Sequence, residues 1–330
     1  MKAVVYDRYG PPDVLHFEDV PRPEPKDDEI LIRIHATTVN RLDCHTREAN
    51  RSNGPVVSVL SRLVSGVRAP RQRILGSELA GEVEQVGAAV TQFKAGDRVF
   101  ANTGLGLACH TEYKCVRESA RVASIPDGMS FAQAAPMTDG ALNALWCLRL
   151  ADLVRRKTVL VYGASGAIGS AGVQLARHFG AEVTAVCTAA TLDLARSLGA
   201  AEAIDYRAQD FTKSGKTYDV IFDAVGKETF ARCKSSLKPG GAYLATDGFR
   251  NLFLAMWTSR FGDKKVMFQL PPVYAKSDVL FLKELAEKGE YRPVIDRTYA
   301  LDQVIEATKY VETQQKVGNV VLTVSPAPAR

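Results

Sequence analysis

The pattern Ala164-x-Gly166-x-x-Gly169 has the plainest chemical consequence in this chain of 330 residues. It follows Thr158-Val-Leu-Val-Tyr162, which reads as a buried strand, and precedes Ser170 to Phe179, which reads as a helix. A strand that turns at once into a helix aims the unpaired N–H groups of the helix start, and the positive end of its dipole, at one point. Glycines there let the backbone approach a diphosphate closely. A lone glycine spacing is weak evidence, but its position at the head of a strand–helix–strand unit points to a dinucleotide; the plainer alternative is a turn with packing duties only.

The next strand, Glu182 to Cys187, indicates which dinucleotide. An NAD site places an acid near the end of that strand to hold the ribose 2′-hydroxyl. No Asp or Glu lies between Val183 and Leu192, and Thr188, Ala189 and Ala190 are small and neutral. NADP is therefore expected over NAD, although no Arg or Lys stands in that stretch to meet the phosphate.

Two kinds of texture surround the turn. Up to residue 125 the chain holds short β-branched segments bounded by Pro, Gly and Asp, among them Lys2 to Tyr6, Glu29 to Ala36 and Gly81 to Val86. From residue 126 it alternates: Phe131 to Leu150 helical, Thr191 to Leu198 helical, with strands at Ala203 to Asp205, Asp219 to Ala224 and Gly241 to Thr246. Such alternation implies a parallel sheet covered on both faces. Val266 to Leu270 reads as one more strand, Asp278 to Lys288 and Leu301 to Thr313 as amphipathic helices, and Gly318 to Leu322 as a last strand. Asn50 to Gln72 is a basic insert, read as a solvated loop or as a flap over a substrate cleft.

Composition excludes several classes. Hydrophobic residues are 46% and charged residues 24%, ordinary for a globular protein. The net charge of +5 contains no long block of one sign, which gives nucleic-acid or membrane affinity little support. The six cysteines form no Cys-x-x-Cys pair, so neither a zinc ribbon nor a disulfide scaffold is expected. Buried thiols in a reducing cytoplasm are the plain reading, and Met1 to Gly10 lacks the apolar core of a signal peptide. The uncharged stretch Thr158 to Ala176 is broken by four glycines and reads as strand, turn and helix, not as a membrane span.

The chain resembles the zinc-independent quinone oxidoreductase (zeta-crystallin-like) branch of the medium-chain dehydrogenase/reductase superfamily over nearly its full length. The matching pieces are Met1-Lys-Ala-Val-Val-Tyr6, Thr38-Val-Asn-Arg-Leu-Asp43, Gly76-Ser-Glu-Leu-Ala-Gly81, Phe93-Lys-Ala-Gly-Asp-Arg-Val-Phe100, the glycine turn, Asp223-Ala-Val-Gly226 and Lys316-Val-Gly-Asn-Val-Val321. The resemblance implies an α/β protein: a Rossmann doubly wound parallel sheet (126–289) plus a GroES-like β-rich catalytic domain (1–125 and 290–330), with NADPH in the cleft between them. Carried over, Ser165, Gly166, Ala167, Ile168 and Gly169 would face the pyrophosphate, Thr188 and Tyr206 the 2′-phosphate, and Ala224 and Val225 the adenosine-side ribose. Thr246, Asp247 and Gly248 would lie near the nicotinamide, and Gly318, Asn319 and Val320 would close over the cofactor. Two positions depart from the pattern. Relatives often carry a basic residue where Ala190 and Thr191 stand, and Asn143 replaces a threonine at the carboxamide contact.

Zinc-dependent relatives use Cys where this chain has Asn40 and His where it has Ser77. Cys44, His45, Glu78 and His110 do not match a ligand spacing, so no zinc is expected. Without a metal, a conjugated carbonyl is the suitable acceptor, because hydride addition moves charge onto an oxygen that hydrogen-bond donors can steady. Asn40 is the candidate donor and Asp43 its orienting neighbour or a ribose anchor; the alternative for both is an Asx turn. The expected function is NADPH-dependent reduction of a quinone or α,β-unsaturated carbonyl, with a small hydrophobic substrate. The apolar run Leu252 to Trp257 would serve as core or as the substrate's wall.

A short-chain dehydrogenase is excluded, since none of the eleven tyrosines has Lys four residues later. The alternatives kept are a 2-enoyl thioester reductase, which would call for an N-terminal-domain Tyr that is missing between Tyr9 and Tyr113, and a non-enzymatic crystallin-like NADPH-binding protein. The resemblance also implies a homodimer through an edge strand, for which Val266 to Leu270 is the candidate, in the cytoplasm.

Overall fold

The β-branched runs at the start of the chain pair with one another rather than with a helix-covered sheet. A computed structural model describes residues 1–51, 54–153, 156–246, 248, 250–269 and 272–324. In it β1 (Lys2–Val5) pairs antiparallel with β2 (His16–Asp19), and the long β3 (Glu29–Val39) runs into α1 (Arg41–Arg47) and then α2 (Pro55–Ser65). Next come β4 (Glu78–Val86), β5 (Arg98–Asn102), β6 (Tyr113–Arg117) and β7 (Val122–Ser124). These join β3 antiparallel: β4 and β6 flank it, β5 lies on β4, and β7 on β5. Alternate residues share a face of a strand, so Ile30, Ile32 and Ile34 meet Leu79, Val83, Val99 and Val122 in one core.

The stretch read as one helix from Phe131 to Leu150 is two, α3 (Phe131–Ala134) and α4 (Asp139–Leu150). Pro136 stands between them with φ −84° and ψ 19°; it has no N–H to continue the ladder. Past α4 follow β8 (Thr158–Tyr162), α5 (Ala167–His178), β9 (Glu182–Cys187), α6 (Leu192–Ser197) and β10 (Glu202–Asp205). Then come β11 (Tyr218–Asp223), α7 (Phe230–Cys233), β12 (Leu237–Ala245), α8 (Arg250–Arg260) and β13 (Lys265–Met267). All the strands of this second sheet that are described run parallel, in the order β10-β9-β8-β11-β12-β13. The order grows outward in both directions from β8, which is the doubly wound arrangement.

After α9 (Lys276–Glu287) the chain returns to the first sheet. There β14 (Ile295–Ala300) lies parallel to β15 (Asn319–Thr323), α10 (Val304–Glu312) connects them, and β15 is antiparallel to β3. The chain thus divides into two compact units, Met1–Asp139 with Ala275–Glu287 and Ile295–Arg330, and Gly140–Tyr274 with Lys288–Val294. The first boundary falls later than the change of texture at residue 126, because α3 packs on β3 and β4.

Three expectations are corrected. Asn50 to Gln72 is not all loop, since Pro55 opens the helix α2 at the position where a missing N–H costs nothing. Leu252 to Trp257 is core only in part: it lies on α8, where Leu254 and Ala255 pack against the core while Phe253, Met256 and Trp257 are exposed. The edge strand ends at Met267, and Leu270 lies outside the described residues.

Candidate functional site

Three glycines of the turn after β8 differ in what surrounds them. Gly163 has φ +78°, and its N–H and that of Ala164 both donate to the Val186 carbonyl, at 2.9 and 3.0 Å. This pins the turn to the end of β9. Gly169 sits on the first turn of α5, where a Cβ would lie 2.1 Å from the Gly163 carbonyl oxygen. Gly166 differs from both, because a Cβ there would meet nothing nearer than 3.6 Å. Among the described residues nothing requires a glycine at that position, and its bare backbone is open to a group approaching from outside. Gly166 is also the N-cap of α5 and contributes no side-chain acceptor to the orphan N–H groups of the first turn. Residues Ser165 to Ile168 are half-buried and reachable.

Parallel register brings most of the expected cofactor residues level with this turn. Asp223 is opposite Tyr162 and Ala245, and Asp205 is opposite Cys187. The carboxyl ends of β8 to β12 therefore present Ser165 to Gly169, Thr188, Tyr206, Ala224, Val225 and Thr246 along one edge. Ligands of open α/β sheets bind at this edge. Ala224 donates its N–H to the Tyr162 carbonyl at 3.0 Å, and Thr246 Oγ1 donates to the Asp223 carbonyl at 3.3 Å. Asn143 lies apart on α4, where its Oδ1 accepts from the Tyr274 hydroxyl at 2.8 Å. Gly248 has φ +92°, and Asp247 lies outside the described residues.

One residue at this edge was passed over in the sequence. Tyr206 donates its N–H to the Cys187 carbonyl at 3.1 Å, so the chain leaving β10 runs beside the end of β9. Arg207 follows, exposed, with its guanidinium 5.7 Å from the centre of the Tyr206 ring. A cation thus follows the residue that bonds the end of β9, whose own continuation, Thr188 to Ala190, carries none. The signal was available: an Arg directly after the strand that pairs with β9.

In the other unit, Asn40 and Asp43 bind each other. Asn40 is the N-cap of α1, its Oδ1 accepting from the Asp43 N–H at 3.1 Å while Asp43 Oδ2 accepts from the Asn40 N–H at 3.0 Å. This reciprocal pair is a capping box with Asp in the third place. Asn40 Nδ2 also donates to Ser77 Oγ at 2.8 Å, and Asp43 Oδ1 accepts from the Gly76 N–H at 2.9 Å. The Asx-type structural contacts are therefore present, with the Asp43 carboxylate on the Asn40 backbone and the Asp43 backbone N–H on the Asn40 amide oxygen. Val320 pairs with Val39, so Gly318 to Val320 on β15 lie beside Asn40.

Glu78 is the most heavily bonded carboxylate of this unit. Oε1 accepts from Thr38 Oγ1 at 2.7 Å, and Oε2 accepts from Thr138 Oγ1 at 2.7 Å and from the Thr138 and Asp139 N–H groups at the start of α4. Burial raises the Glu78 carboxyl above its ordinary range. Burial, with the Glu78 and Asp43 charges beside it, also pushes Asp139 up, to about 8. A group raised in the folded state holds a proton that the unfolded chain has released, so stability falls as pH rises from about 4 to about 8. Asp139→Asn removes the Asp139 share of this dependence. Melting temperatures between pH 5 and pH 8 are expected to decline less steeply for the variant than for the parent chain; equal slopes would refute the assignment.

A doubly wound sheet with an anion-ready glycine turn, on one chain with an antiparallel β unit, defines a nucleotide-dependent oxidoreductase of the dehydrogenase/reductase type. Residues 26–154 match the alcohol dehydrogenase GroES-like domain, and residues 198–322 match the zinc-binding dehydrogenase family. An NADPH-dependent alkenal/one oxidoreductase of Arabidopsis thaliana is 32% identical over 98% of this chain and 79% of its own length. A quinone-oxidoreductase homolog of Spinacia oleracea is 30% identical over 98% of both chains. The quinone oxidoreductase of Coxiella burnetii superposes with a TM-score of 0.84 at 26% identity, covering 98% of this chain and 99% of its own. The chain belongs to the medium-chain dehydrogenase/reductase superfamily, among the quinone oxidoreductases and alkenal reductases.

The family's description names zinc, and the four candidate ligand side chains, Cys44, His45, Glu78 and His110, are buried or already engaged. Burial pushes the Cys44 thiol up to about 12. His110 Nε2 lies 2.8 Å from the Thr38 carbonyl, which it serves as donor, and the Glu78 oxygens are taken as described. His45 Nδ1 is 3.3 Å from Glu48 Oε1. Among the described residues no three His, Cys, Asp or Glu side chains form a metal-holding group, and no helix is long and apolar enough to cross a membrane.

Proposed function

We propose that this chain reduces quinones or α,β-unsaturated carbonyl compounds with NADPH and without zinc, as a cytoplasmic homodimer joined through β13. The observation that carries the reading is the turn at Gly166, whose open backbone and uncapped helix start fit a diphosphate. The names of the full-length relatives support the substrate class.

Ser165 to Gly169 would hold the pyrophosphate, and Ala224 and Val225 would border the ribose. Thr188, Tyr206 and Arg207 would border the 2′-phosphate, Arg207 supplying the charge. Asn143, Thr246, Asp247 and Gly248 would stand on the nicotinamide side, and Gly318, Asn319 and Val320 would also contribute to holding the cofactor. When bound, NADPH supplies a hydride to the conjugated system. The chain's own part is to steady the carbonyl oxygen on which charge gathers, and Asn40 has an amide hydrogen for it beyond the one given to Ser77. Asp43 fixes the direction of that amide and is not a base.

The test is the loss of NADPH absorbance with a panel of quinones, enones and 2-enoyl thioesters. Turnover of quinones or enones is expected; turnover of thioesters alone would reassign the chain to acyl chemistry, and cofactor binding with no turnover would leave it a binding protein. In the same assay Asn40→Ser keeps the cap and removes the amide. A fall in kcat of about 10²-fold or more is expected, whereas unchanged kcat would limit Asn40 to capping α1.

A further inference from the structure

The helix α2 is built inside out. Its residues Ser58, Ser61, Arg62 and Ser65 fall on one stripe, and Val59, Leu60, Leu63 and Val64 on the opposite one. A surface helix of a globular protein turns its apolar stripe inward. Here the polar stripe is the half-buried one, while Val59 is 59% exposed, Leu60 53%, Leu63 58%, Val64 77%, and the following Val67 58%.

The orientation is held by specific contacts. Asn50 Nδ2 donates to Ser61 Oγ at 2.9 Å, and the Arg62 guanidinium lies 5.1 Å from the centre of the Tyr9 ring. At the far end the Tyr9 hydroxyl donates to the Gly66 carbonyl at 2.8 Å, and the Arg71 N–H donates to the Ser65 carbonyl at 2.8 Å. Gly66 itself has φ +126°, with a Cβ position 2.0 Å from the Ala69 carbonyl oxygen, so the chain leaves the helix in one direction only. The apolar stripe is presented by design of the backbone and not by fraying.

Charge indicates what covers it. From Ala49 to Ser77 the chain carries Arg51, Arg62, Arg68, Arg71 and Arg73 and no acidic residue or lysine. Arg73 is paired with Asp7 and Glu18, and Arg62 faces Tyr9. Arg51, Arg68 and Arg71, exposed before and after the helix, have no acidic partner among the described residues. An apolar stripe flanked by unpaired arginines complements a surface that is apolar within and negative at its rim, which is an anionic lipid bilayer. At 11 residues the helix is far too short to span it and would lie in the plane of the headgroups.

We propose that α2 is an interfacial anchor that seats this protein on an anionic lipid surface. The proposal does not depend on the reductase reading. The charge of the whole chain hides it, because the five arginines between Ala49 and Ser77 are averaged with 37 acidic residues elsewhere.

The test is flotation of the full chain with vesicles of phosphatidylcholine alone and with vesicles that include phosphatidylglycerol. Binding is expected to the second and not the first. The double variant Leu63→Glu with Val64→Glu, and separately Arg51→Glu with Arg68→Glu, are each expected to reduce the bound fraction at least tenfold, with an unchanged melting temperature. No binding to the anionic vesicles, or binding that neither pair of substitutions weakens, would overturn the proposal. So would two results obtained without vesicles. If Leu63→Glu with Val64→Glu halves the particle mass by light scattering, a second copy covers the stripe. If it raises KM for a water-soluble enone, the helix is a substrate flap.

Discussion

Gly169→Ala is expected to unfold the nucleotide-binding unit partly or wholly, while Gly166→Ala leaves it standing and removes its ligand. The two glycines are three residues apart and differ in what surrounds them. At Gly169 the new methyl would lie 2.1 Å from the Gly163 carbonyl oxygen, an atom of a turn already pinned to β9. Neither the turn nor the helix start has room to give. The cost is about 3 kcal/mol or more, at the upper end of overpacking penalties. At Gly166 the methyl meets nothing inside 3.6 Å, so the melting temperature should hold within about 2 °C. The same methyl occupies the space through which a phosphate would reach the backbone, and the dissociation constant for NADPH should rise roughly tenfold or more, about 1.4 kcal/mol. Thermal melting and NADPH fluorescence on both variants check the pair. Equal affinity for NADPH in Gly166→Ala and the parent chain would remove the central support of the proposed function.

Arg207→Ala is expected to narrow the preference for NADPH over NADH by a factor of about 10 to 100, the worth of one charge-assisted hydrogen bond. KM for NADPH should rise and KM for NADH should stay where it is, because under the proposed function only the phosphorylated ribose would meet the guanidinium. Raising the salt concentration should have a similar but weaker effect on the parent chain, since Arg207 is exposed and screened. Arg207→Lys restores the charge without the stacking on Tyr206 and should recover part of the preference. A variant that loses affinity for both nucleotides equally would show that Arg207 merely supports the loop, where its N–H already donates to Asp205 Oδ1 at 3.0 Å.

These two sites differ in how readily they could be read from the residues alone. The glycine turn is local: strand, turn and helix fall within Thr158 to His178, and the spacing of the glycines follows from geometry within that span. Arg207 is twenty positions from Cys187 and enters the same site only because β10 lies parallel to β9 with Asp205 opposite Cys187. Asn40 had two candidate roles in the sequence. The structure engages it as a cap because Ser77 and Gly76, more than thirty residues on, close around it and Asp43.

The helices with exposed apolar residues show the same division. The spacing of Val59, Leu60, Leu63 and Val64 is helical on inspection, and basic, serine-rich surroundings obscured it. No periodicity tells which stripe of a helix faces the protein, since inward and outward placement have the same period. For α8, hydrophobicity suggested core, and the structure exposes Phe253 and Trp257 instead.

What the sequence by itself determined here is the order and type of most strands and helices, the turn that would take a diphosphate, and the family, because each depends on contacts within about twenty residues or on motifs in order along the chain. Only the tertiary structure decided which side chains at the strand ends are neighbours, which of Asn40's hydrogen bonds are already made, and which stripe of α2 meets solvent. Those depend on strand register and on contacts between distant segments, and the free energy of such contacts comes from burying many side chains together, which no short stretch of sequence contains.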